Sequence, residues 1–223
     1  MFLVQAFIVT EFKRGSTNRT TMCGGSLIKN NLILSAAHCF VKDTEEGYPM
    51  KIVKVTVRLG EHNIETPSLI VRETIIQLSK YHIVLHDNYT GKPEHINDIA
   101  KVHLNDPIDF SSHPEIHPIC LPENPGKDYD GEDAMVTGWG MVNRTNKAEV
   151  LQGIAPTIVD RTYCNHRLTT FFREHSDLRG KLRITSVPKG RKMQRLPGGL
   201  FWCFSHLSFL HDTPGPPWWP PCY

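Results

Sequence analysis

Short apolar runs broken by turn residues fill the chain as far as about Cys164. They are FLVQAFIV (2–9), GGSLI (24–28), LILSA (32–36), KIVKVTVRL (51–59), LIVRETIIQL (69–78), AMVTGW (134–139) and APTIVD (155–160). Runs of this length, rich in Val, Ile and Thr and separated by Gly, Asn, Asp and Pro, predict the strands of an all-β sandwich or barrel. Between Val53 and Leu59 apolar and polar positions alternate, the pattern of a strand with one buried face. No stretch carries the periodicity of a long helix, and there is no internal repeat. MFLVQAFIV has no preceding positive charge and no clear small-residue cleavage site, so it reads as a first strand rather than a secretory leader. On that reading a leader and any pro-segment lie upstream, or the chain begins inside a domain. No other stretch approaches the roughly 20 apolar residues that a membrane span needs.

The pattern changes twice. NDPIDFSSHPEIHPICLPENPGK (105–127) is polar and proline-bearing and reads as a connector between two β-rich parts, 1–104 and 128–170. From 171 to 223 the chain is anomalous. Residues 165–195 hold nine Lys or Arg against two acids, Glu174 and Asp177, whereas 196–223 hold no Lys or Arg and three of the four tryptophans. TPGPPWWPPCY at the end is unsuited to a sheet interior, because proline has no amide to donate. An irregular C-terminal tail is the expectation.

Composition narrows the class. The 223 residues, 39% hydrophobic and 22% charged, suffice for a packed core, and a formal charge of +2 gives no nucleic-acid or membrane signature. The six cysteines (Cys23, Cys39, Cys120, Cys164, Cys203, Cys222) form no CxxC pair, which favours disulfides over zinc or thioredoxin chemistry. Sequons at Asn18, Asn88 and Asn143 point the same way, to glycosylation in a secreted, oxidising setting.

LILSAAHCF (32–40) sets a histidine beside a cysteine after an apolar strand. Alone, such a histidine is more often packed than catalytic. Its neighbours change the reading. CGGSLI (23–28), LSAAHC (34–39), TVRLGEHNI (56–64), NDIAKVHL (97–104), PICLP (118–122), VTGWG (136–140) and LQGIAPTIVDRTYC (151–164) resemble, in order, the trypsin-like serine proteases of chymotrypsin fold. The resemblance covers roughly three quarters of the chain. It implies an all-β, two-barrel fold over 1–223, with 1–104 a nearly complete first barrel, 105–127 the connector and 128–170 an incomplete second barrel before the tail. It implies His38 as the general base of peptide hydrolysis, Asp98 as the carboxylate that orients it, and a Cys23–Cys39 disulfide pinning the histidine. Protein or peptide substrates follow, with no cofactor, no nucleic acid and no membrane. Cys120 would tie the domain to a missing upstream segment, or else be a free or mispaired thiol. Cys203 and Cys222 could pair with each other.

No metal is expected. In His82/His86 and His113/His117 the HxxxH spacing favours a metal mainly on a helix face, and these segments read as strand or loop. Glu61 and Glu65 follow LGEHNI where some family members carry a calcium loop, but a solvated turn is the preferred reading.

The family's GDSGG segment, source of the nucleophilic serine, is absent. So are an IVGG-type start, the tryptophan-glycine strand of the substrate cleft, the partner of Cys164 and the C-terminal helix, and Ala134 stands where many members have cysteine. Ser186, Ser205 and Ser208 lack the glycine-rich flanks of an exposed nucleophile. Back-translated and read one base later, however, LPGGLFWC (196–203) permits Cys-Gln-Gly-Asp-Ser, then Ser or Phe, then Gly. The serine codon would span Leu200 and Phe201. A frame error or shifted splice, or else a divergent tail, accounts for this. As written, the chain is expected to be inactive. The alternatives are a non-catalytic homologue that binds or regulates, and a truncated product that folds poorly because an incomplete barrel leaves strand edges unpaired.

Overall fold

The computed structural model describes residues 4–66, 72–91, 95–122, 128–142 and 146–159, with 162, 163, 166, 193–195 and 201–202. Asn143, Cys164, Cys203, Cys222, Ser186, Ser205 and Ser208 lie outside the described residues.

Seven strands form the first sheet: β1 (Gln5–Arg14), β2 (Thr17–Lys29), β3 (Leu32–Ser35), β4 (Lys51–Leu59), β5 (Arg72–Ile75), β6 (Ile83–Leu85) and β7 (Ala100–His103). Their order is β5-β4-β1-β2-β3-β7-β6, and every pairing is antiparallel. The first strand runs past the expected 2–9 to Arg14, because its hairpin turns at Gly15, whose φ of 57° suits a residue without Cβ. Among the described residues of the run LIVRETIIQL, Arg72–Ile75 is strand, and Ile76, whose N–H donates to the Val55 carbonyl at 2.8 Å, buries its side chain.

The sheet curls until β5 reaches the segment after β7. Asn105, just beyond β7, closes the gap with its side-chain amide: Oδ1 accepts the Gln77 N–H at 3.0 Å and Nδ2 donates to the Ile75 carbonyl at 2.8 Å. One primary amide thus supplies the donor and acceptor of a missing strand residue. Inside lies one core built from alternate positions, including Ala6 and Ile8 of β1, Leu27 of β2, Ile33 of β3, Val55, Val57 and Leu59 of β4, and Ala100 and Val102 of β7.

β1 shows why its sequence hardly alternates. Ala6 and Ile8 face this core, while Phe7 on the opposite face packs with Trp139 and Leu151 of the second half. Both faces are covered, so both are apolar.

In the second half, among the described residues, β8 (Val136–Gly138) pairs with β9 (Gln152–Ile154), and β10 (Ile158–Val159) pairs with β11 (Met193–Arg195), which pairs with β12 (Phe201–Trp202). The last two strands fall in the segment expected to be irregular.

Gly25 of the CGG run must be glycine. A Cβ there would lie 2.7 Å from Ile33 Cγ2, 3.1 Å from Ile8 Cδ1 and 3.1 Å from the Leu34 carbonyl oxygen. Gly25→Ala should cost about 1–3 kcal/mol through overpacking, read as a lower urea midpoint at unchanged slope.

Candidate active site

β3 and β7 bring the site together. Their register pairs Leu32 with His103 and Ser35 with Ala100; continued past the strand ends, it carries residue 38 to the level of Asn97 and Asp98. Beyond Ser35 the chain packs Ala36 and Ala37 into the core and turns through a single 3-10 turn, Ala37–Phe40. The two small residues let this turn sit directly on the barrel.

The turn is held twice by one carboxylate. His38 Nδ1 lies 2.7 Å from Asp98 Oδ2, and the His38 backbone N–H donates to Asp98 Oδ1 at 2.8 Å. The Asp98 side chain is 1% exposed and that of His38 is 32% exposed. A carboxylate can only accept, so Nδ1 carries the proton and Nε2 is left with its lone pair. Asp98 is thus buried beneath a partly exposed imidazole whose Nε2 lies 3.8 Å from Cys39 Sγ.

The Cys23–Cys39 disulfide joins β2 to this turn, with Cα atoms 6.2 Å apart. It stabilises the fold by about 3 kcal/mol in the chain-entropy model. Cys23, Cys39 and His38 bring their ligand atoms within 4.8 Å of one another, but both sulfurs are committed to the disulfide and offer no thiolate.

Three residues around the pair were not singled out by sequence reasoning. Asn97 and His95 have left-handed backbone, φ 55° and 49°, in the segment that delivers Asp98. Asn tolerates that region, and its Nδ2 donates to the Asn88 carbonyl at 2.9 Å, fixing the bend. His95 sets its ring edge-to-face against His38 with centroids 5.8 Å apart, and Tyr89 Oη is 2.9 Å from His95 Nδ1. The asparagine of NDIA was in view as a motif letter; the other two carry no local signal.

Burial, with the Asp98 and Asp43 charges after it, pushes the Tyr89 phenol up to about 12. A raised folded value favours the protonated form, so this contribution is complete below the unfolded value near 10 and fades as pH rises from there toward 12. Tyr89→Phe should therefore flatten the alkaline limb of stability against pH, measured by urea melts above pH 9.

The remaining candidates lie apart. His82 and His86 flank β6, His82 Nδ1 bonded to Ser79 Oγ at 2.8 Å and His86 Nδ1 accepting the Asn88 N–H at 3.1 Å. His113 contacts Glu115 at 3.4 Å, and His117 Nε2 donates to the Pro114 carbonyl at 2.7 Å. Asn18 and Asn88 are exposed. Cys120 is disulfide-bonded, and its partner is not among the described residues.

A curled antiparallel barrel with a disulfide-pinned histidine against a buried aspartate defines the class of chymotrypsin-fold serine peptidase domains. Comparison with known proteins agrees: residues 6–178 match the family model described as Trypsin, and the chain belongs to that family. It is 31% identical over 169 residues to Serine protease 7 of Drosophila melanogaster, covering 72% of this chain and 41% of that protein. It is 30% identical over 163 residues to Phenoloxidase-activating factor 1 of Holotrichia diomphalia, covering 69% and 43%. The solved structure described as "Structure of GrC" superposes with a TM-score of 0.62 at 20% identity over 90% of this chain and 78% of that one, a likeness of fold. The chain spans about two fifths of the length of these two relatives.

Proposed function

We propose that this chain is the domain of a secreted trypsin-like endopeptidase, carrying the proton-handling half of a Ser-His-Asp apparatus and lacking its nucleophile as written. The observation that supports it most is the double hold of Asp98 on His38, at 2.7 and 2.8 Å, which fixes the orientation of the imidazole. In an intact form Nε2 would take the proton from a serine hydroxyl as it attacks a peptide carbonyl, then give it to the leaving amine, with Asp98 stabilising the imidazolium between. Protein or peptide chains are the substrate class. The Cys23–Cys39 disulfide and the sequons at Asn18, Asn88 and Asn143 fit an extracellular setting.

A second reading, a non-catalytic homologue that binds or regulates, is favoured by the absence of GDSGG. Two measurements separate them. The chain as written should not be labelled by a fluorophosphonate probe, and sequencing of the transcript across codons 196–203 should reveal a shifted frame or junction. Specific labelling of any serine in the chain as written would show that a nucleophile is present; an abundant transcript with this frame uninterrupted would favour the binding homologue.

A further inference from the structure

The loop after β4 is where some family members hold calcium, and among the described residues its donors do not fit that ion. Glu61 is fully buried, and both its oxygens are taken: Oε2 by Arg58 Nη1 at 3.1 Å and Oε1 by the His62 N–H at 3.1 Å. Arg58 Nη1 also donates to the Ile64 carbonyl at 3.3 Å, and its Nε lies 3.9 Å from Glu73 Oε2. Glu65, the other acid suggested by the sequence, is exposed, with its own N–H held by Asn63 Oδ1 at 2.9 Å. Calcium needs 6–8 oxygens at 2.3–2.6 Å. Among the described residues, two carboxylates and a carbonyl oxygen converge on a guanidinium instead. The preferred expectation of a solvated turn is corrected as well: a turn glutamate with no exposure, paired to an arginine, is a built feature.

We propose that Arg58 is the resident cation of this loop, taking the place of a calcium ion and holding the seam between the two halves without metal. The loop it fixes makes the seam. His62 presents its carbonyl to the Leu151 N–H at 2.8 Å and to Trp139 Nε1 at 3.2 Å, and the Ile64 N–H donates to the Glu149 carbonyl at 2.9 Å. Asn63 forms a bridge with Val150. Arg58 Cζ also lies 5.0 Å over the Phe7 ring, on the strand face that meets Trp139. A guanidinium suits this role, since its planar donors reach several oxygens at once and it stays charged at any pH the protein meets. A divalent ion entering here would face that fixed positive charge and find its best ligand already bonded.

The test uses the full 223-residue chain. Its thermal midpoint should be the same in chelator and in millimolar calcium, and Arg58→Gln should speed hydrogen exchange of the Ile64 and Leu151 amides by about 10²-fold, because a buried carboxylate loses its partner. A calcium-dependent rise in the midpoint of the unaltered chain overturns the proposal, and so does unchanged exchange in R58Q. If R58Q does not fold, Arg58→Met with Glu61→Leu decides, since it removes both charges together. A folded, calcium-insensitive double variant supports the proposal; one as unstable as R58Q overturns it.

Discussion

A message read one base later from the codon of Leu196 should yield a chain that a fluorophosphonate labels on one serine, and Asp98→Asn in that chain should slow peptide turnover by about 10⁴-fold. The size follows from the tautomer. Asparagine keeps an oxygen for the His38 N–H, held by Asp98 at 2.8 Å, so the turn should stay in place. Its amide nitrogen, however, would donate to Nδ1 where Asp98 Oδ2 now accepts at 2.7 Å, forcing the ring proton onto Nε2. The base then has no lone pair facing the nucleophile. His38→Ala should cost a similar factor by deleting the base, and combining the two should add little, since they act as a unit. Circular dichroism and the thermal midpoint of D98N should stay close to the parent. A D98N enzyme that keeps its turnover, or a shifted-frame chain that no probe labels, would contradict the assigned roles.

Phe7→Ala should cost about 3–5 kcal/mol, the usual range for deleting a buried aromatic ring. The pattern of the loss matters as much as its size. Phe7 meets Trp139 edge-to-face at 5.5 Å and shares its cluster with Leu151, while its strand neighbours Ala6 and Ile8 belong to the barrel core. Amides of β8 and β9 should therefore lose protection before those of β1, β2 and β4. Leu27→Ala, which empties a fully buried site in the barrel core, should instead lower protection across both halves. Hydrogen exchange read by strand distinguishes the two, and uniform loss in Phe7→Ala would show that the seam has no separate cooperativity.

The elements with strong local signals were legible. KIVKVTVRL became β4 with the predicted bounds, and Val55, Val57 and Leu59 point inward as the alternation requires. LILS of LILSA is β3, and GGSLI falls in β2. Short strands were harder: β6 and β9, three residues each, are below the length at which periodicity can be read, and β7 was seen as a motif, not as a strand. The run FLVQAFIV lacks alternation because two cores claim β1 from opposite sides, and a single chain pattern cannot say which residue faces which. The Arg58–Glu61 pair was missed because a buried ion pair and a solvated turn use the same letters; burial tells them apart.

His38 and Asp98 were both named by short motifs, and the resemblance those motifs carry suggested a base and its carboxylate. Their separation of 60 residues is closed only by the antiparallel pairing of β3 with β7, because register is set by long-range contacts that no local window contains. The sequence alone determined that the chain is all-β, that His38 and Asp98 sit in motifs resembling those of the family and that no GDSGG segment is present. Tertiary structure alone decided that one buried aspartate grips both the ring and the backbone of His38, that His95 and Tyr89 stand beside them, and that an arginine fills the cation position of the seam. Each of these depends on which surfaces become buried together, and burial is a property of the folded whole.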